Sequence, residues 1–290
     1  MTVKQRGSGW SIKLVFNLYK LFGYKFVYFL MYPVSFFYFL FASNVKYSLK
    51  KYYKTLGLEF NNWVYFEHLR MFAICLVDRF ISKYDPTSYD FIYEEKETVL
   101  NTMNSKTILL FSHFGGWASS SSNPVTKNRI NIVMHEVILD SIKKIENSIE
   151  NSIENKLSNI HIIDQSMGQI PVSIEIANAI SNNEIIAIMA DRPTSNKYKY
   201  KTKFFDKDAY FNKNPFKISY RTKTPILCCF VINIGLQKYK VETSELHLNF
   251  GLKENEAIDI AIKEYIKLFE GILLKYPNQW FNFYNFWESK

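Results

Sequence analysis

His113 is the residue in this chain best placed to do chemistry. It follows an apolar run, Thr107-Ile-Leu-Leu-Phe-Ser112, and precedes Phe114-Gly115-Gly116-Trp117. That order reads as a buried strand ending in a tight, glycine-floored turn. A neutral imidazole, with a reference pKa of about 6.5, can take a proton from an attacking hydroxyl near neutral pH. A histidine base is usually oriented by an acid, but five positions on stands Ala118. A carboxylate from another strand end, a backbone carbonyl, or loss of catalysis could each account for that methyl group. Asp191 is the first candidate for a replacement acid, because it directly follows a second apolar run, Ile185-Ile-Ala-Ile-Met-Ala190. Glu136, just past Ile130-Asn-Ile-Val-Met134, is the second.

Other chemistries lack their signatures. Ser112 adjoins His113 without a G-x-S-x-G elbow, and the serines at 119–122 suit close packing or a cleft wall. There is no HExxH, P-loop or GxGxxG, and no histidine pair has metal-ligand spacing, so neither metal nor cofactor is expected. His68, on a helix, is expected to be structural. The basic run Lys197-Tyr-Lys-Tyr-Lys-Thr-Lys203 carries no nucleic-acid recognition motif, and nucleic acid is not expected as a partner. Cys75, Cys228 and Cys229 make neither a disulfide framework nor a CxxC site, which fits a reducing compartment.

The elements that must position His113 follow from periodicity. Beyond residue 106, short apolar runs alternate with helical windows. Strands are expected at 107–112, 130–134, 159–163, 184–190, 225–234 and 238–248, and helices at 116–127, 138–156, 169–182, 213–223 and 255–276. This alternation predicts an α/β fold with a mixed, mostly parallel central sheet flanked by helices. Ligands in such sheets bind at the carboxyl ends of strands, where both His113 and Asp191 fall. Residues 45–103 read as helical, with helices over 58–83 and about 89–103. The repeat KIENSIENSIEN at 144–155 reads as a solvated, low-complexity helix without chemistry.

Residues 26–41, FVYFLMYPVSFFYFLF, are nearly all apolar and follow Lys13, Lys20 and Lys25. The run is short for a span and contains Pro33, and no small-residue cleavage site of a signal peptide follows it. It predicts a helix pair lying in or dipping into one leaflet, with lysines at the headgroups, in preference to a buried aromatic hairpin of the core. Residues 1–45 are therefore expected to form a membrane-associating segment and 46–290 an α/β domain. Lys and Arg total 36 against 27 Asp and Glu, giving +9, and aromatics make up 17% of the 290 residues. Such a surface suits anionic lipid or an acidic carrier protein.

Taken together, these segments resemble the lysophospholipid acyltransferase superfamily, in the branch of the late acyltransferases of lipid A synthesis. The resemblance rests on the membrane-seeking amino terminus, SHFGGW against a histidine turn written HX4(D/E), and Glu184 to Pro193 against an Asp-Arg block. Phe204 to Ala209 with Asn214-Pro215-Phe216, and the aromatic end Gln279 to Trp287, complete it in order. It implies a glycerol-3-phosphate acyltransferase-like fold. It implies transfer of an acyl group from a thioester, on acyl-carrier protein or coenzyme A, to a hydroxyl of a lipid or glycolipid at the cytoplasmic face of the inner membrane. In such a site His113 is the base, and the N–H groups of Gly115, Gly116 and Trp117 are oxyanion donors. Arg192 binds phosphate or carboxylate, or else forms an ion pair with Asp191 or Glu184. The chain departs from the family pattern at Ala118; a membrane-bound lipid binder without catalysis is the alternative reading.

Overall fold

The computed structural model describes residues 9–122, 125–135, 159–193 and 195–288. Glu136, the 138–156 helix and the 144–155 repeat lie outside the described residues.

Three helices open the chain: α1 (Gly9–Phe41), α2 (Ser43–Thr55) and α3 (Asn62–Tyr84). α1 is two helical pieces joined at Gly23, whose φ of 74° and ψ of 178° break the ladder; Pro33 sits inside the second piece. Only the glycine supplies a φ that other residues avoid, so the bend falls there. On α2 the buried positions Val45, Leu49, Tyr52 and Tyr53 recur every three to four residues and dock on the core. Asn61 caps α3 by accepting from the Val64 N–H at 2.9 Å.

The sheet follows, built from β1 (Asp90–Tyr93), β2 (Thr107–Phe111), β3 (Ile130–Met134), β4 (Ile160–Asp164), β5 (Ile185–Met189), β8 (Ile226–Gly235) and β9 (Lys238–Leu246). Between β5 and β8 lies a separate hairpin of β6 (Lys199–Phe204) and β7 (Lys207–Asn212). The other α-helices among the described residues are α4 (Lys96–Met103), α5 (Trp117–Ser120), α6 (Gln169–Ser181), α7 (Asn214–Thr222) and α8 (Glu254–Lys275). Strand order is β1-β9-β8-β2-β5-β3-β4, with every pair parallel except β8 and β9. This is the mixed, mostly parallel α/β sheet that the alternating pattern predicts. Central strands β2 and β5 are apolar at consecutive positions because helices cover both faces.

On one face, Ile108, Leu110, Ile186, Ile188, Phe230 and Ile232 pack in a single cluster with Ile258, Ile262, Phe269 and Leu273 of α8. On the other, Leu109, Ala187, Leu227 and Cys229 meet Val99 and Met103 of α4. The second piece of α1 joins α3 and β9 through Val27, Met31, Ile74 and Val241.

Three expectations need correction. Residues 90–93 form an edge strand, not the start of a helix: Phe91 pairs beside Tyr239 and stacks on its ring, which outweighs local helical preference. The helix expected at 116–127 is a single turn, Trp117–Ser120; there the hydroxyls of Ser120, Ser121 and Ser122 each bond the carbonyl three residues back. The β6–β7 hairpin has no counterpart among the expected elements. Its turn places Phe205 and Asp206 at φ of 49° and 60°, the geometry of a tight two-residue hairpin, but with Phe where Asn or Gly usually signals it.

Candidate active site

Strands β2 and β5 are neighbours, with Phe111 opposite Met189. His113 and Asp191 each stand two residues beyond that pair, so register alone brings them to one level above the sheet. Nδ1 of His113 lies 2.8 Å from Oδ1 of Asp191. The carboxylate is fully buried, whereas about a third of the imidazole is exposed. Because a carboxylate only accepts, Nδ1–H is the donor in this contact, and in a neutral imidazole the lone pair is then on Nε2.

Asp191 receives further donors at Oδ2: the His113 backbone N–H at 3.2 Å and the indole N–H of Trp280 at 3.1 Å. Nε of Arg192 stands 3.8 Å from the same oxygen. Burial pushes the Asp191 pKa up, but the His113 charge and hydrogen bond, Arg192 and Trp280 together reverse this. The carboxyl is held well below the usual range and stays ionised.

The turn after His113 is braced by the distant end of the chain. Gly115 N–H donates to the Gln279 carbonyl and Gly116 N–H to the Val231 carbonyl, both at 2.8 Å. Phe281 N–H donates to the His113 carbonyl at 3.0 Å, and Phe114 bridges to Trp280. Both glycine N–H groups expected to serve an oxyanion are therefore engaged inside the protein. The glycines instead serve close packing. A Cβ on Gly115, at φ 55°, would meet the Val231 oxygen at 1.9 Å; one on Gly116 would meet the Tyr239 ring at 2.1 Å. Trp117 faces a cavity beside His113.

That cavity, about 330 Å³, runs from His113, Trp117 and Arg192 along the sheet face beneath α4. Leu109, Ile130, Ile132, Ala187 and Cys229 line its floor, with Val99 and Met103 on the α4 side. Its lining is thus mostly apolar, with His113 and Arg192 among its few polar groups. Ser120 and Ser121 form part of its wall. Ser112 is buried and bonded to the Tyr265 hydroxyl at 2.8 Å.

Arg192 donates from Nη2 to the Phe281 carbonyl at 2.8 Å, and its guanidinium lies over the Tyr284 ring at 5.2 Å. Ligand contact and a charge partnership with Asp191 are both open to it. Glu184 is elsewhere, accepting from Asn131 Nδ2 at 2.8 Å. His68 is fully buried between the Tyr53 hydroxyl and the Trp280 carbonyl, each 3.2 Å away. At the aromatic end, Trp280 is likewise fully buried. Its indole bond to Asp191 has no signal in the sequence: composition marks the aromatics, but nothing there says where an N–H points.

A family model described as bacterial lipid A biosynthesis acyltransferase matches residues 91–289, which covers nearly the whole sheet, the His113 turn and the aromatic end but not α1 to α3. No curated protein matches the chain.

Proposed function

Because the chain belongs to the bacterial lipid A biosynthesis acyltransferase family and its chemistry is acyl transfer to a lipid, we propose that His113 is the general base of that transfer and Asp191 the acid that orients it. The 2.8 Å contact between their side chains carries the proposal. Nε2 takes the proton of an acceptor hydroxyl as its oxygen attacks the thioester carbonyl. The tetrahedral intermediate then expels the thiolate, which recovers the proton. The thioester is already activated, so no covalent enzyme intermediate is needed. Asp191 fills the role left open by Ala118, from the neighbouring strand and not from the same turn. Trp117 N–H and the Arg192 guanidinium are the groups near the cavity mouth suited to the oxyanion or to a phosphate.

The donor is an acyl thioester on carrier protein or coenzyme A, the acceptor a hydroxyl of a lipid or glycolipid, and the acyl chain lies in the apolar cavity. Residues 1–45 hold the enzyme at the cytoplasmic face of the inner membrane as a peripheral or monotopic anchor, and 46–290 carry the chemistry. Supporting the anchor, Lys13–Phe41 is long and apolar enough to cross a membrane, and only 22% of its most apolar window is buried. Phe22, Phe29, Phe37 and Phe41 are all at least 60% exposed.

The test is acyl transfer by wild type and His113→Ala, with a radiolabelled acyl thioester and an extracted lipid acceptor. Turnover by wild type alone is expected. Undiminished turnover by the variant would remove His113 as base. Stoichiometric lipid binding with no thioester consumption by wild type would favour the non-catalytic reading.

A further inference from the structure

We propose that Trp280 is a positioning residue for acyl transfer, acting through Asp191 as the third member of a His113–Asp191–Trp280 relay. The inference rests on the reading of His113 as base and adds to it a residue 89 positions from Asp191.

Asp191 has two oxygens with separate tasks. Oδ1 takes the His113 ring proton at 2.8 Å, while Oδ2 takes the Trp280 indole N–H at 3.1 Å and the His113 backbone N–H at 3.2 Å. A carboxylate held at one oxygen alone can pivot about its Cβ–Cγ bond. Donors on both oxygens fix its plane, and so the plane of the imidazole it holds. The side chain is fully buried, which makes each bond stronger and each missing bond costlier. Arg192, 3.8 Å from Oδ2, supplies charge there but no direct bond.

Trp280 is itself immobilised. It is 0% exposed, ringed by Tyr52, Phe204, Phe269 and Phe286 with centroids at 5.0 to 5.8 Å. Its backbone carbonyl meets the buried His68 ring at 3.2 Å. Its neighbours fix the same turn: Gln279 through Gly115, and Phe281 through the His113 carbonyl. A donor so rigidly placed can hold Asp191 without reorganising during the reaction. Phenylalanine would keep an aromatic ring among these neighbours at some cost in packing; it cannot supply the N–H.

The experiment compares wild type, Trp280→Phe, Asp191→Asn and the double variant, with thermal melts to show that each is folded. Trp280→Phe keeps an aromatic ring and removes the donor. We expect kcat to fall about tenfold, the scale of one hydrogen bond to a charged group, with KM for the thioester within twofold. The acid limb of the kcat/KM profile should move to higher pH, because a carboxylate relieved of the indole donor accepts more strongly from His113. In the Asp191→Asn background the same substitution should cost less than twofold, since it acts through the carboxylate. Equal losses in both backgrounds, or a Trp280→Phe enzyme with unchanged kcat and profile, would overturn the relay. Failure of the base assignment reads differently: His113→Ala would then remain active.

Discussion

Nδ1 of His113 and Oδ1 of Asp191 meet at 2.8 Å although 78 residues separate them in the chain. Their strands are paired in parallel register, and each residue lies two positions past the same rung. An imidazole and a buried carboxylate are thus delivered to one place by two adjacent strand ends. The residue five positions after His113, where the family pattern places an acid, is an alanine.

Removing the acid should therefore be nearly as damaging as removing the base. Asp191→Asn is expected to lower kcat by about 10²- to 10⁴-fold, because an amide can stabilise the wrong tautomer and cannot stabilise the imidazolium. Adding Ala118→Glu should not rescue it, since the new amide still occupies the Nδ1 side of the ring. Steady-state acyl transfer measures both, and rescue to within tenfold of wild type would move the acid role to position 118.

The glycines predict a stability effect more than an electrostatic one. Gly116→Ala drives a methyl into the Tyr239 ring and should cost about 2–4 kcal/mol. Gly115→Ala meets a backbone oxygen at a left-handed φ, so it should cost more than Gly116→Ala. Urea denaturation of the two variants gives the ranking; the reverse order would contradict the described turn.

Cavity length should set chain preference. Ala187→Leu adds three carbons to the cavity floor at the centre of the sheet. Two methylenes displaced from apolar contact correspond to about 1.6 kcal/mol, or roughly tenfold. Competition between long and short acyl thioesters should show kcat/KM falling for the long donor while the short one stays within twofold. An equal fall for both would place the acyl chain elsewhere.

Burial at His68 predicts an acid-sensitive fold. Desolvation lowers its pKa from 6.5 to about 3, partly countered by the Trp280 carbonyl. A depressed folded pKa means its contribution is complete above pH 6.5 and is lost as pH falls toward 3. Linkage gives a loss of about 2 kcal/mol between pH 7 and pH 5. Asp78 opposes this at lower pH: burial raises it to about 6 despite donation from the Tyr239, Tyr24 and Tyr89 hydroxyls, so it favours folding as pH drops from about 6 toward 4. Urea melts of wild type and His68→Gln at pH 7 and pH 5 isolate the histidine; an equal change in stability for both proteins would show that folding does not shift the His68 pKa.

The exposed aromatic side of α1 should govern membrane partitioning. Phe29→Ser with Phe37→Ser removes two rings exposed at 70% and 60%. Partition onto anionic vesicles is expected to weaken about tenfold or more, while activity on a detergent-dispersed acceptor stays within twofold. Sedimentation with vesicles reads the first and the transfer assay the second.

Much of this is legible in one dimension. Among the described residues, six of the seven strands in the main sheet fall within the expected segments; consecutive buried positions mark β2, β5 and β8, whereas β9 buries Tyr239 and Val241 in alternation. The exception is β1, whose four residues borrow their conformation from β9. His113 and Asp191 are each marked by their place after such runs, and the amino-terminal run by its composition. Pairing order, however, is not local. Only the tertiary structure sets β2 beside β5 in the register that joins His113 to Asp191. Only it directs the Gly115 and Gly116 N–H groups to carbonyls of Gln279 and Val231, and brings the indole of Trp280 to the same carboxylate as His113. Types and periods are written in the sequence because burial and backbone geometry act within a few residues. Partners of individual hydrogen bonds are chosen by packing between segments far apart in the chain.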